Sequence, residues 1–92
     1  MRDGNFEWDD RKAAANLRKH DVAFEHARRV FGDPSGIDGL DDDDSEERFT
    51  RLGFANGVLL LVVYAERSGR TRIISARKAT KHEQGDYTSQ SG

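Results

Sequence analysis

Phe6, Glu7 and Trp8 alternate apolar, polar, apolar, the period of a short strand with Phe6 and Trp8 on one face. Asp9 then stands where a helix N-cap is expected, and Asp10 suits the positive end of the helix dipole. The spacing predicts a helix over Asp10 to His20, with Ala13, Leu17 and His20 on its buried stripe. Arg18, Lys19 and His20 fall in the last turn, where cations meet the negative end of the dipole. After a break at Asp21, a second helix is expected from about Ala23 to Phe31, with Phe24, Ala27, Val30 and Phe31 as its apolar stripe. Gly32-Asp33-Pro34 ends it, because proline cannot continue a helix and pushes its predecessor out of the α region.

Residues 35–46 read as a loop with at most a short edge strand from Ile37 to Leu40, since the run Asp41 to Asp44 repels itself and has little strand propensity. That acidic run lacks the glycine and terminal glutamate spacing of a calcium-binding loop. The best-specified region follows. Asn56-Gly57 and Ser68-Gly69 sit between apolar runs as two-residue hairpin turns, so three antiparallel strands are expected at about 47–55, 58–67 and 70–78. A last helix is predicted from Thr80 to about Tyr87, with Thr80 and Glu83 forming a capping box and Gly85 weakening it. The tail 88–92 is expected to fray.

Tight turns fix register, and register sorts side chains between the two faces of a sheet. Leu52, Phe54, Leu59, Leu61, Val63, Ile74 and Ala76 fall on one face, expected to meet the helices. Phe49, Arg51, Val62, Tyr64, Ile73, Ser75 and Arg77 fall on the other, with Glu47 and Glu66 at one end. The second set is too charged for a core and too apolar for a plain solvent face, which makes it the expected functional side.

Ninety-two residues make a single domain, 1–92, of α+β class. With no cysteines, a disulfide scaffold, a thiol nucleophile and a sulfur-bound zinc are excluded. The N-terminus has no signal-peptide stretch and the longest apolar run, Val58 to Ala65, is too short to span a bilayer, so a cytoplasmic protein without a membrane partner is expected. A net charge of −2 hides a segregation: residues 38–66 carry two basic and eight acidic groups, residues 67–92 six basic and two acidic. No phosphate-binding glycine loop, nucleophile elbow or metal-ligand pair is present, and no metal or other cofactor is expected.

Three runs, FEWDDRKAAANLRKHDVAFEHARRVFGDP, EERFTRLG and VVYAERSGRTRIISARKATKHE, resemble the BrnT family of type II toxins over about residues 6–87. The resemblance implies a RelE-like fold: a short N-terminal strand and two helices packed on one face of a small antiparallel sheet, then a C-terminal helix. It also implies a metal-independent ribonuclease, neutralised by a co-encoded BrnA-like antitoxin with a ribbon-helix-helix half, the complex repressing its own operon. DNA would then be met only through the antitoxin. The chain departs from the family pattern at Asp21, where glycine is usual, in the acidic loop, which lacks a histidine before the serine, and at Gly85.

Cleavage of RNA without metal needs a base for the 2′-hydroxyl, cations around the phosphate and a proton donor for the leaving oxygen. Arg77 is the expected phosphate ligand, Glu47, His20 or Lys19 the base or acid, and Tyr64 a stacking or donating group. Arg51, Arg72, Lys78 and Lys81 are the expected RNA-binding cations. The alternative is a non-catalytic module that binds the antitoxin and acts only in autorepression. A DNA-binding regulator acting alone fits less well, because no helix carries a basic recognition face.

Overall fold

The computed structural model describes residues 2–3, 5–41 and 47–91. Strands β1 (Arg2–Asp3) and β2 (Phe6–Glu7) lead into helix α1 (Asp10–His20). Asp9 caps α1, its Oδ1 accepting from the N–H groups of Arg11 at 2.8 Å and Lys12 at 3.1 Å. Asp21 ends the helix in the left-handed conformation, φ 58°, the role usually taken by glycine. The second helix is shorter than its apolar pattern suggested: α2 (Phe24–Ala27) tightens into a 3-10 turn over Arg28–Gly32. Its expected stripe is correct: Phe24, Ala27 and Val30 are fully buried and Phe31 packs half-buried against the core.

β3 (Ile37–Leu40), β4 (Phe49–Ala55), β5 (Val58–Arg67) and β6 (Arg70–Lys78) follow. The two hairpin turns form as expected, with positive φ at Asn56, Gly57, Ser68 and Gly69. The stretch from Asp42 to Glu46, read above as loop, lies outside the described residues. Helix α3 (Lys81–Ser91) opens with the predicted capping box. Thr80 N–H donates to Glu83 Oε1 at 2.9 Å, and Glu83 N–H to Thr80 Oγ1 at 3.2 Å. The helix passes through Gly85 and runs on to Ser91, where a frayed tail was expected.

Among the described residues six strands form one sheet in the order β1-β2-β6-β5-β4-β3. It is mixed rather than antiparallel, because β2 lies parallel to β6. The predicted sidedness is overturned. Val62, Tyr64 and Ile73 lie on the side covered by α1, α2 and the 3-10 turn, and Val62 and Ile73 are packed into the core there. Leu59, Leu61 and Val63 lie on the far side, half-buried. The physical reason is twofold. Leu59 to Val63 is apolar at every position, so alternation cannot say which face is core. A bulge between Val63 and Tyr64 then shifts the register on β6, so that Val63 opposes Ser75 and Tyr64 opposes Ile73, leaving Ile74 as the extra residue. Everything after it on β6 changes side: Ala76 joins Val62 in the core and Arg77, opposite Leu61, turns to the far face.

Asn16 supplies a further correction, because it takes the inward position on α1 while Leu17 remains 48% exposed. β2 pairs with β6 only at Thr71 and Arg72, so the outer backbone groups of Ala76 have no strand beside them. The Asn16 amide fills that gap. Its Nδ2 donates to Ala76 O at 2.9 Å and to Val22 O at 2.9 Å, and its Oδ1 accepts from Ala76 N–H at 3.1 Å. One side chain thus stands in for a missing strand residue and fastens α1 to the sheet. No helix among the described residues is long and apolar enough to cross a membrane.

Candidate functional site

The end of β6 gathers cations. Arg77 projects from the far face and binds Glu83 through both terminal nitrogens, Nη1 to Oε1 at 2.8 Å and Nη2 to Oε2 at 2.9 Å. This fork-to-fork pairing with Arg77, helped by the Thr80 contacts, lowers the Glu83 carboxyl to about 2, while hydrogen bonding to Glu83 raises Arg77. The guanidinium is therefore held in one orientation yet stays partly open, its side chain 37% exposed. Lys78 ends the strand and Lys81 begins α3, both exposed. A cleft lined by Asp21, Val22, His26, Val58 and Lys78 joins this point to the end of α1, where Lys19 is exposed and His20 half-buried. Thus Lys78 and the residues that end α1 border one cleft on the helix side of the sheet, whereas Arg77 projects from the far face beside α3.

Other expected site residues lie elsewhere. Glu47 precedes β4 by two residues, whereas Lys78 is level with Gly53 through Leu60. Six residues of strand separate those levels, about 20 Å. Tyr64 sits on the helix side, its ring edge-on to Phe31 at 4.9 Å and tilted against Phe49 at 5.7 Å. Burial first, then the Asp38 charge and hydrogen bond, push its hydroxyl up from the ordinary tyrosine value. Arg51 is a structural clamp: Nε donates to Val30 O at 2.9 Å, Nη2 to Asp33 O at 2.7 Å and Nη1 to Asp38 Oδ2 at 2.8 Å. Arg72 pairs with Glu7 at 2.9 Å on neighbouring strands β6 and β2. Hence Tyr64 and Arg51 do not share a face with Arg77, as register without the bulge had implied.

Two functional-looking contacts escaped the sequence. Glu83 was legible as a cap but not as the partner of Arg77. Asp33 was legible as a helix stop but is also a latch for α3, accepting from Tyr87 Oη at 2.7 Å, from Phe54 N–H at 2.9 Å and from Ser35 N–H at 2.9 Å. Burial alone would raise the Asp33 carboxyl; these three donors outweigh it and hold it below the usual range. Among the described residues no three His, Asp or Glu side chains stand together as a metal site.

A profile described as the ribonuclease toxin, BrnT, of a type II toxin–antitoxin system matches residues 8–83. The chain belongs to the BrnT family. No match was found among curated proteins. Membership makes it one of a family of ribonuclease toxins and implies an antitoxin as its partner. The BrnT match takes in every candidate residue discussed above, from Lys19 to Lys81, and ends at Glu83. Most of α3, with Tyr87, lies beyond it.

Proposed function

We propose that this BrnT chain is a RelE-like endoribonuclease that cleaves RNA through the substrate's own 2′-hydroxyl, without a bound metal, at the cationic end formed by β6, the start of α3 and the end of α1. The observation that carries this reading is Arg77, oriented by Glu83 on a partly open face and flanked by Lys78 and Lys81. In this reading the phosphate lies against the Arg77 guanidinium, with the lysines neutralising its neighbours. With the RNA wrapped around the end of β6, His20 on the helix side takes the proton from the 2′-oxygen, which attacks phosphorus. The bond from phosphorus to the 5′-oxygen breaks, and Lys19 or Lys78 protonates the leaving oxygen. The products carry a 2′,3′-cyclic phosphate, opening to a 3′-phosphate, and a 5′-hydroxyl. Tyr64, Arg51 and Glu47 take no direct part. A co-encoded BrnA-like antitoxin with a ribbon-helix-helix half neutralises the chain and carries the complex to operator DNA.

Purified chain, incubated with RNA and with DNA of the same sequence in EDTA, tests this. RNA should be cut to cyclic-phosphate ends and DNA left intact. Loss of cleavage in EDTA with recovery in Mg²⁺ would overturn the mechanism. The absence of any cleavage by chain that binds its antitoxin would favour the non-catalytic reading.

A further inference from the structure

We infer that β3, at one edge of the sheet, is where the antitoxin adds an extended, lysine- or arginine-bearing strand. The inference rests on this chain having a protein antitoxin, as its family does. β3 lies last in the sheet order and, among the described residues, pairs with β4 alone. Asp41 N–H donates to Arg48 O at 3.1 Å, which fixes the phase of the ladder. With pairing Gly39 to Thr50 and Ile37 to Leu52, the backbone groups of Gly39 and Ile37 point to β4, and those of Asp38 and Leu40 point outward. An outward row of donors and acceptors is a template for another strand.

The side chains say what kind of strand. Leu40 is 75% exposed, more than any other large hydrophobic side chain described, and offers an apolar contact at the edge. Its neighbours Asp38 and Asp41 are acidic, and between Asp38 and Glu47 the sequence has seven carboxylates and no cation. Asp38 remains 55% exposed although it holds Arg51. Pairing of β3 with a second copy of itself would bring two such acidic stretches together, and an RNA backbone would be repelled. A cationic peptide strand satisfies the hydrogen bonds and the charge at once. The edge is also three strand spacings from β6, roughly 14 Å, so this grip leaves the proposed cleavage surface to other parts of the antitoxin.

The test uses the purified chain and the antitoxin encoded beside it. Residue-resolved amide exchange should show Asp38 and Leu40 slowed in the complex, whereas Gly39, already bonded to β4, changes little. Leu40→Pro removes an outward N–H and the exposed side chain while sparing the bonds to β4; it should weaken antitoxin binding by at least about tenfold with thermal unfolding unchanged. Asp41→Lys should weaken binding most at low salt. Unchanged exchange at Asp38 and Leu40, or parental affinity of Leu40→Pro, would overturn the inference while leaving the ribonuclease reading untouched. Protection of β3 in the chain alone, rising with its concentration, would overturn it in favour of self-pairing. Failure of the antitoxin to bind at all would remove its premise and count against both.

Discussion

Arg77 and Glu83 are coupled, so each can be used to interrogate the other. The Glu83 carboxyl is lowered from 4.5 to about 2 by Arg77. A depressed carboxylate stabilises the fold above its unfolded value, and the contribution is lost as pH falls through the folded one. The tie between β6 and α3 should therefore loosen as the pH drops from about 4.5 toward 2. Because the pair is partly open to solvent, its contribution is about 1 kcal/mol. A carboxyl-carbon NMR titration of Glu83 should give a midpoint near 2, moving up in Arg77→Ala; a midpoint at the ordinary value would mean that the pair does not form. Activity separates the partners differently. Arg77→Ala should lower RNA cleavage about 10²–10³-fold, by analogy with removing one donor at an oxyanion site. Glu83→Gln, which frees the guanidinium but keeps it, should cost much less. Equal losses in both variants would make the ion pair, rather than the cation, the functional unit.

At the scale of elements, which face of the sheet meets the helices decides which substitutions matter. Leu60→Ala, at a fully covered position, should cost about 2–5 kcal/mol through the cavity it leaves, whereas half-buried Leu61→Ala should cost clearly less. Urea unfolding of the two variants checks the sidedness, and the opposite ranking would put Leu61 rather than Leu60 against the helices. Asn16→Ala should cost about 2–4 kcal/mol, because it strands the N–H and C=O of Ala76 beside α1. A change below about 0.5 kcal/mol would show that water replaces the amide. These elements also explain what could be read in advance. α1, both hairpins and the capping box rest on local chemistry, such as Asp9 before a helical stripe or Asn56-Gly57 between apolar runs, and they appear where expected. The parallel β2–β6 pair and the bulge rest on contacts across more than sixty residues and about ten residues respectively, and leave no local mark. The doublet Ile73–Ile74 was the available hint, since either isoleucine can take the core position. Asn16, a polar residue inside the apolar stripe of α1, was the hint to a buried clamp.

Over the whole molecule, the charge segregation read in the chain becomes an arrangement in space. Asp38 and Asp41 lie on or beside β3 at one sheet edge, and Arg70, Arg72, Arg77, Lys78 and Lys81 lie on β6 and α3, beyond β4 and β5. This part of the arrangement was legible from composition; which cations are held by carboxylates or backbone was not, since Arg51, Arg72 and Arg77 all have partners within the fold. What remains for RNA is a short list. Arg77 is already neutralised by Glu83, so the charge available for releasing counterions comes from Lys19, Lys78 and Lys81. Three phosphate contacts on single-stranded RNA give a slope of about −2 in log affinity against log salt, or about a 20-fold loss between 50 and 200 mM. Fluorescence anisotropy with a 2′-O-methyl RNA, which cannot be cleaved by its own hydroxyl, measures binding apart from chemistry. Lys81→Ala should reduce the slope by about 0.7, and Arg72→Ala should leave it unchanged because Glu7 already holds that charge. A flat salt dependence, or a slope altered by Arg72→Ala and not by Lys81→Ala, would move the RNA surface away from the end of β6.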